Sequence, residues 1–129
     1  IVHVTGKGKN EIPEKQGYHP VDFTNDIGDL FAAADLVVSR AGAGAICELT
    51  YLKKPLLLIP LSKSASRGDQ LDNAEYARNF GARVLYEENL SEESFINEIY
   101  RTTVPTRPVS CAGNRTIARI LTSFAKGGK

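Results

Sequence analysis

Residues 34–49, Ala-Asp-Leu-Val-Val-Ser-Arg-Ala-Gly-Ala-Gly-Ala-Ile-Cys-Glu-Leu, constrain the fold more than any other stretch of this chain. A short apolar run, Leu36 to Val38, meets a turn of small residues, Ala41 to Ala45. A helical pattern follows, with Ile46, Leu49 and Leu52 on one side. Glycines at a strand-to-helix turn let a ligand approach the backbone with no Cβ in the way. The helix start beyond them points unpaired N–H groups at that ligand, which suits an anion such as a phosphate. Glu48, in the first turns of the helix, offers a carboxylate to ribose hydroxyls. These features describe half of a nucleotide site, although a Gly-Ala-Gly turn taken alone describes tight packing equally well.

A second segment supplies the other half. The apolar run Pro55–Leu61 leads into Ser62-Lys-Ser-Ala-Ser-Arg-Gly-Asp-Gln-Leu-Asp-Asn-Ala74, again a polar loop between a strand and a helix. Ligands of open α/β sheets bind outside the carboxyl ends of the strands, so both loops are expected to open onto one crevice. The second loop brings Arg67, Asp69, Gln70 and Asn73, and three-residue spacing puts Gln70 and Asn73 on one helical face.

Strands and helices are expected to alternate along the chain. Ile1–Thr5 and His19–Phe23 read as strands, and Asp26 caps a helix that runs to Ala34. Strand Leu36–Ser39, helix Ala43–Leu52 and strand Leu56–Pro60 come next. Helix Gln70–Phe80 stops at Gly81, a residue favoured just past a helix end. Strand Arg83–Tyr86 precedes a helix capped by Ser91 and running to Tyr100. Three places after that cap stands Ser94, neither acid nor amide, so no full capping box is expected. Pro105 and Pro108 break the chain before a last helix, Asn114–Phe124. This order predicts an α/β, Rossmann-like fold: a mostly parallel sheet with helices on both faces, in one domain spanning 1–129.

Composition narrows the classes. With 129 residues and 42% apolar content the chain can bury one core. A net charge of +1, without basic runs or interleaved aromatics, gives no case for nucleic acid as a partner. The two cysteines, Cys47 and Cys111, have neither metal spacing nor a disulfide pattern, and Cys47 is expected to be a small buried helix residue. No run is long and apolar enough to span a bilayer, so a reducing cytoplasm is the expected compartment.

Several motifs in order, His3-Val-Thr-Gly-Lys7, Val21-Asp-Phe-Thr24, Ala34 to Gly42, and Lys54 through Gln70 to Asn73-Ala74, resemble the C-terminal domain of the MurG family. Its members are peptidoglycan glycosyltransferases of glycosyltransferase family 28 with the GT-B fold, and the resemblance covers nearly the whole chain. It implies one half of a GT-B enzyme that moves N-acetylglucosamine from UDP-GlcNAc to undecaprenyl-diphosphate-muramoyl-pentapeptide. By the same resemblance Glu48 binds the ribose hydroxyls, Gly42 and Ala43 lie against the diphosphate, and Arg40 stands close by. Phe23 and Thr24 flank the uracil, Asp69 and Gln70 bond the sugar hydroxyls, and Asn73 supports them. Where the family often has two glutamines this chain has Asp69 then Gln70, and the acid remains a good acceptor. No metal is expected, since the chain has no Asp-x-Asp motif or His cluster, and no cofactor, since UDP-GlcNAc is a substrate; no catalytic residue is expected within the chain. The acceptor site and base belong to an N-terminal domain, and the full-length protein is expected at the cytoplasmic face of the membrane.

The resemblance also implies a fragment lacking its first strand–helix unit, which is expected to leave an exposed sheet edge and to self-associate. Two other classes stay open at this point: a separate UDP-GlcNAc-binding subunit of a two-chain transferase, and a non-catalytic nucleotide-sugar binding module. Single residues have plainer readings too. Arg40 can pair with Asp35 or Asp72, Glu48 can be a first-turn acid favoured by the helix dipole, and Asp69 can be an N-cap. His3 fits a structural role, and Lys7 lies in no Walker loop.

Overall fold

A computed structural model describes residues 1–9, 12–108 and 112–126. The chain divides into two compact units, Ile1–Ala33 and Ala34–Lys129.

In the first unit, strand β1 (Val2–Val4) pairs in parallel with β2 (His19–Val21), with Val2 opposite His19 and Val4 opposite Val21. The backbone N–H groups of His19 and Thr5 extend this ladder to the carbonyls of Ile1 and Val21. His19 and Val21 therefore spend their backbone groups on β1, while Pro20 between them has no N–H to offer on the other edge. Helix α1 (Ile27–Ala33) follows a short turn. That turn is closed by the Thr24 hydroxyl, which accepts from the Asp26 N–H at 2.9 Å.

The second unit carries a three-stranded parallel sheet in the order β3 (Val37–Ser39), β4 (Leu56–Leu58), β5 (Arg83–Val84). The central strand is Leu-Leu-Leu and all three side chains are fully buried. A continuous apolar run of this kind is what a parallel strand covered on both faces needs. Around it close Ala41, Ile46 and Leu49 from helix α2 (Ala43–Tyr51) and its entry, and Ala74 and Ala77 from helix α3 (Asp69–Arg78). Each fully buried leucine contributes about 1.5–3 kcal/mol relative to exposure. The sheet expected as one continuous layer is thus two parallel sheets, one in each unit, and the chain keeps its α/β Rossmann-like alternation.

Helix ends follow local chemistry. Past the C-cap of α2, Lys53 takes φ 55° and Lys54 donates its N–H to the Leu49 carbonyl, a left-handed closure where glycine is usual. Gly81 does the same job after α3 at φ 96°. Beyond β5 a 3-10 turn (Glu87–Asn89) leads to helix α4 (Glu92–Arg101). Here Ser91 and Ser94 do form a reciprocal capping box. The Ser91 hydroxyl accepts from the Ser94 N–H at 3.1 Å, and the Ser94 hydroxyl accepts from the Ser91 N–H at 2.8 Å. A serine at the third position is short, but within one turn its hydroxyl still reaches the cap. Arg83 of β5 donates to Glu98 of α4 at 2.5 Å, which holds the Glu98 carboxyl below its ordinary range and raises the arginine further. Thr106 and Arg107 then return to bond the carbonyls of Lys54 and Phe80. Helix α5 (Ala112–Lys126) ends the described chain, and Cys111 lies outside the described residues. Among the described residues no helix is long and apolar enough to cross a membrane.

Candidate functional site

The carboxyl ends of β3, β4 and β5 release three connections, and side chains tie them together. Arg40, the first residue after β3, donates through Nη1 to the Ile59 carbonyl at 3.2 Å and to Glu87 Oε1 at 2.7 Å. The other oxygen of Glu87 accepts from the Ser62 N–H at 3.1 Å. Gln70, in the first turn of α3, accepts on Oε1 from the Leu61 N–H at 3.0 Å. Asn73 donates through Nδ2 to the Ala41 carbonyl at 3.1 Å. Two consecutive residues after β3 (Arg40, Ala41) and two after β4 (Leu61, Ser62) are therefore fixed by three side chains from elsewhere.

Arg40 pairs with neither Asp35 nor Asp72, since at the end of β3 its side chain extends along the sheet edge towards β5. Glu87 was not singled out by its sequence, although its place just after the third strand of the sheet is the signal that marks it. Its carboxyl sits below the ordinary glutamate range, first because of the Arg40 guanidinium and then because of the Ser62 N–H. It is ionised at neutral pH, which makes both of its hydrogen bonds charge-assisted.

Helix α2 opens differently. Its N-cap is Gly42, with φ −70° and ψ 136°, and no side chain caps it. The first backbone bond of the helix is Ile46 N–H to the Gly42 carbonyl at 3.0 Å, so the N–H groups of Ala43, Gly44 and Ala45 point out of the helix start. A Cβ built at Gly42 or at Gly44 would meet nothing within 4 Å, and neither glycine has a positive φ. Tight packing therefore does not explain these glycines. Open space over the helix end is what they leave.

Glu48 is exposed and is the sixth residue of α2, past the first turn to which the helix-end charge reaches. Its reading as a first-turn acid fails on that ground. Cys47 is exposed as well, because Ile46, Leu49 and Thr50 take the buried face and turn the residues between them outward. Asp69 is the first helical residue of α3, and the cap is Gly68 at φ 96°. Arg67 before it is held at φ 43°, a conformation that non-glycine residues seldom adopt.

The predicted residues thus fall in two groups. Arg40, Gly42, Ala43, Gln70 and Asn73 are brought to one sheet edge, with Asp69 heading α3 and Glu48 one turn along α2. Phe23 and Thr24 belong to the first unit. There Phe23 is 57% exposed and the Lys7 ammonium stands 5.2 Å from its ring centroid. In the same unit His3 Nδ1 lies 2.8 Å from the Tyr18 hydroxyl, a structural pairing. Among the described residues no three His, Cys, Asp or Glu side chains gather as metal ligands would.

Comparison with known proteins gives a consistent picture. The sequence profile described as the Glycosyltransferase family 28 C-terminal domain matches residues 1–108. A Geobacillus kaustophilus protein named UDP-N-acetylglucosamine--N-acetylmuramyl-(pentapeptide) pyrophosphoryl-undecaprenol N-acetylglucosamine transferase is 50% identical over 105 residues, 78% of this chain and 29% of the relative. A transferase of the same name from Clostridium botulinum is 48% identical over 103 residues, 77% of this chain and 29% of its own length. A Bacillus anthracis protein carrying that name with the number 2 is 44% identical over 117 residues, 81% of this chain and 33% of its own. The chain spans about a third or less of the length of these relatives. No solved structure matches it significantly.

Proposed function

The chain belongs to the family of glycosyltransferase family 28 C-terminal domains, and from that premise we propose that it is the donor-binding part of an inverting N-acetylglucosaminyltransferase. The donor is UDP-GlcNAc and the acceptor is the undecaprenyl-diphosphate-linked muramoyl-pentapeptide of peptidoglycan synthesis, in keeping with the names of the relatives. The observation that carries the reading is the uncapped start of α2, where two glycines required by neither φ nor packing leave the helix N–H groups open.

Each residue then has a task. The N–H groups at the start of α2 face the diphosphate across Gly42 and Ala43, and they stabilise the charge that grows on departing UDP. Glu48 accepts the ribose hydroxyls. Phe23 and Thr24 hold the uracil, the backbone of Thr24 reading its edge, since its hydroxyl is already committed to Asp26. Gln70 keeps its carbonyl oxygen on Leu61 and offers its amide N–H groups to the sugar, beside the Asp69 carboxylate. Asn73 supports both loops through Ala41. A hydroxyl of the acceptor, deprotonated by a base outside this chain, attacks the anomeric carbon from the face opposite UDP, and the C–O bond to UDP breaks. Holding that carbon in line is the contribution of this half. The enzyme works at the cytoplasmic face of the membrane, where both substrates meet.

Calorimetry of UDP binding to the full-length transferase, wild type against Glu48→Ala, tests the assignment. Loss of a hydrogen-bonded carboxylate is expected to weaken binding by about 1.5–3 kcal/mol, tenfold or more. Unchanged affinity removes Glu48 from the site.

A further inference from the structure

Glu87 occupies a place that none of the donor-binding roles above uses. It follows β5, the strand that contributes no ligand-facing residue to the reading so far, yet its carboxylate touches both other connections of the sheet. One oxygen takes Arg40 after β3 at 2.7 Å and the other takes the Ser62 N–H after β4 at 3.1 Å. Leu61, the neighbour of Ser62, is the residue whose N–H is held by Gln70, and Ala41, the neighbour of Arg40, is held by Asn73.

We propose that Glu87 is a positioning residue of the donor site, fixing the nucleotide side through Arg40 and the sugar side through Ser62 with a single carboxylate. The inference rests on the donor-site reading given above. Its physical content is a carboxylate bridge between the segment after β3 and the segment after β4. Arg40 has a long side chain with many rotamers, and binding it to an anion and to the Ile59 carbonyl removes most of that freedom before donor arrives. The Ser62 amide begins the loop Ser62–Gly68, whose other end is the positive-φ pair Arg67 and Gly68 leading into α3. A carboxylate at its first residue sets where that loop starts, and so where Asp69 and Gln70 sit. Glu87 touches no substrate group itself. Its action is on the geometry that others present.

The experiment uses the full-length transferase and compares Arg40→Ala, Glu87→Ala, Glu87→Gln and the Arg40→Ala/Glu87→Ala pair. The readouts are KM for UDP-GlcNAc, kcat, and melting temperature. Glu87→Ala is expected to raise KM about tenfold, with kcat changed less, because a charge-assisted contact that pre-orders the site is lost. Glu87→Gln keeps an acceptor for Ser62 and is expected to raise KM only about threefold, which answers the objection that the alanine variant folds poorly. The double variant should lie about threefold above Arg40→Ala, the share of the Ser62 contact, and well short of the product of the two single losses, since the Arg40 contact is broken in both. A lowered melting temperature with unchanged KM in both Glu87 variants, or losses that multiply in the double variant, overturns the proposal. If Arg40→Ala raises KM and the Glu87 variants do not, the positioning role falls and the donor reading stands. If no variant moves KM, the placing of donor at this sheet edge falls with it.

Discussion

Helices α2 and α3 both begin just beyond the carboxyl end of a strand in the same sheet, yet their first turns are built in opposite ways. At α2 the entry is Gly42, Ala43, Gly44 and Ala45, with no acid in the first turn and no side-chain cap. At α3 the entry is a left-handed Gly68 followed by Asp69 and Asp72 within the first turn, and Gln70 and Asn73 are committed to backbone groups of the neighbouring loops. The partial positive charge of a helix start is the same in both cases. At α3 two carboxylates of its own first turn answer it; at α2 neither a first-turn acid nor a side-chain cap does. One edge of one sheet therefore offers an end suited to a diphosphate and, beside it, an end suited to hydroxyl groups, which is the order of groups along a nucleotide sugar.

The strongest way to break this comparison is to give α2 the acid it lacks. Ala43 is exposed at the first helical position, so Ala43→Asp needs no repacking. An aspartate there suits the helix dipole, and thermal stability should stay level or rise by up to about 1 kcal/mol. The same charge set about 5–6 Å from a diphosphate costs roughly 3 kcal/mol at an effective dielectric near 20, about a hundredfold in UDP affinity. Melting and UDP calorimetry on one protein sample should thus move independently or in opposite directions. Unchanged affinity would show that the anion sits elsewhere.

The next test belongs to α3. Gln70→Ala removes the amide proposed to read the sugar, and it also leaves the Leu61 N–H without its acceptor. Stability is expected to fall by about 1–2 kcal/mol. Turnover with UDP-GlcNAc should drop about tenfold while affinity for free UDP stays within about twofold. Gln70→Glu keeps the acceptor for Leu61 and loses the donors, so it should recover the stability and not the turnover. An equal loss for UDP and for the full donor would make α3 a second diphosphate end, and the contrast would vanish.

How much of this was legible in sequence depends on the range of the interaction. The strands and helices of both units stand within a few residues of their expected bounds, because apolar runs and helical spacing are local signals. The outward face of Cys47 was legible in principle, since Ile46, Leu49 and Thr50 mark the buried stripe of α2. The Ser91–Ser94 box escaped because a capping side chain is usually sought among acids and amides. The Arg40–Glu87 bridge was out of reach: its partners are 47 residues apart, and only the parallel order of three strands brings them together. Gly42 and Gly44 are a third kind of case. Their letters fit packing and ligand approach alike, and only the empty space around each missing Cβ decides between them.

The smallest effect is also the finest probe of the comparison. Asp72 is exposed, lies in the first turn of α3, and has no side-chain partner among the described residues. On the present reading its role is to answer the helix charge. Asp72→Asn should therefore cost about 0.3–1 kcal/mol of stability at low ionic strength, and the difference should shrink towards zero in roughly 1 M salt, where charges are screened within a few ångströms. UDP affinity should stay within about twofold of wild type at both salt levels, because the diphosphate is assigned to α2. A gain in UDP affinity beyond that, lost again in high salt, would mean that the carboxylates of α3 are felt by the diphosphate. The two helix ends would then serve one anion between them, and the division of labour drawn from their first turns would be wrong.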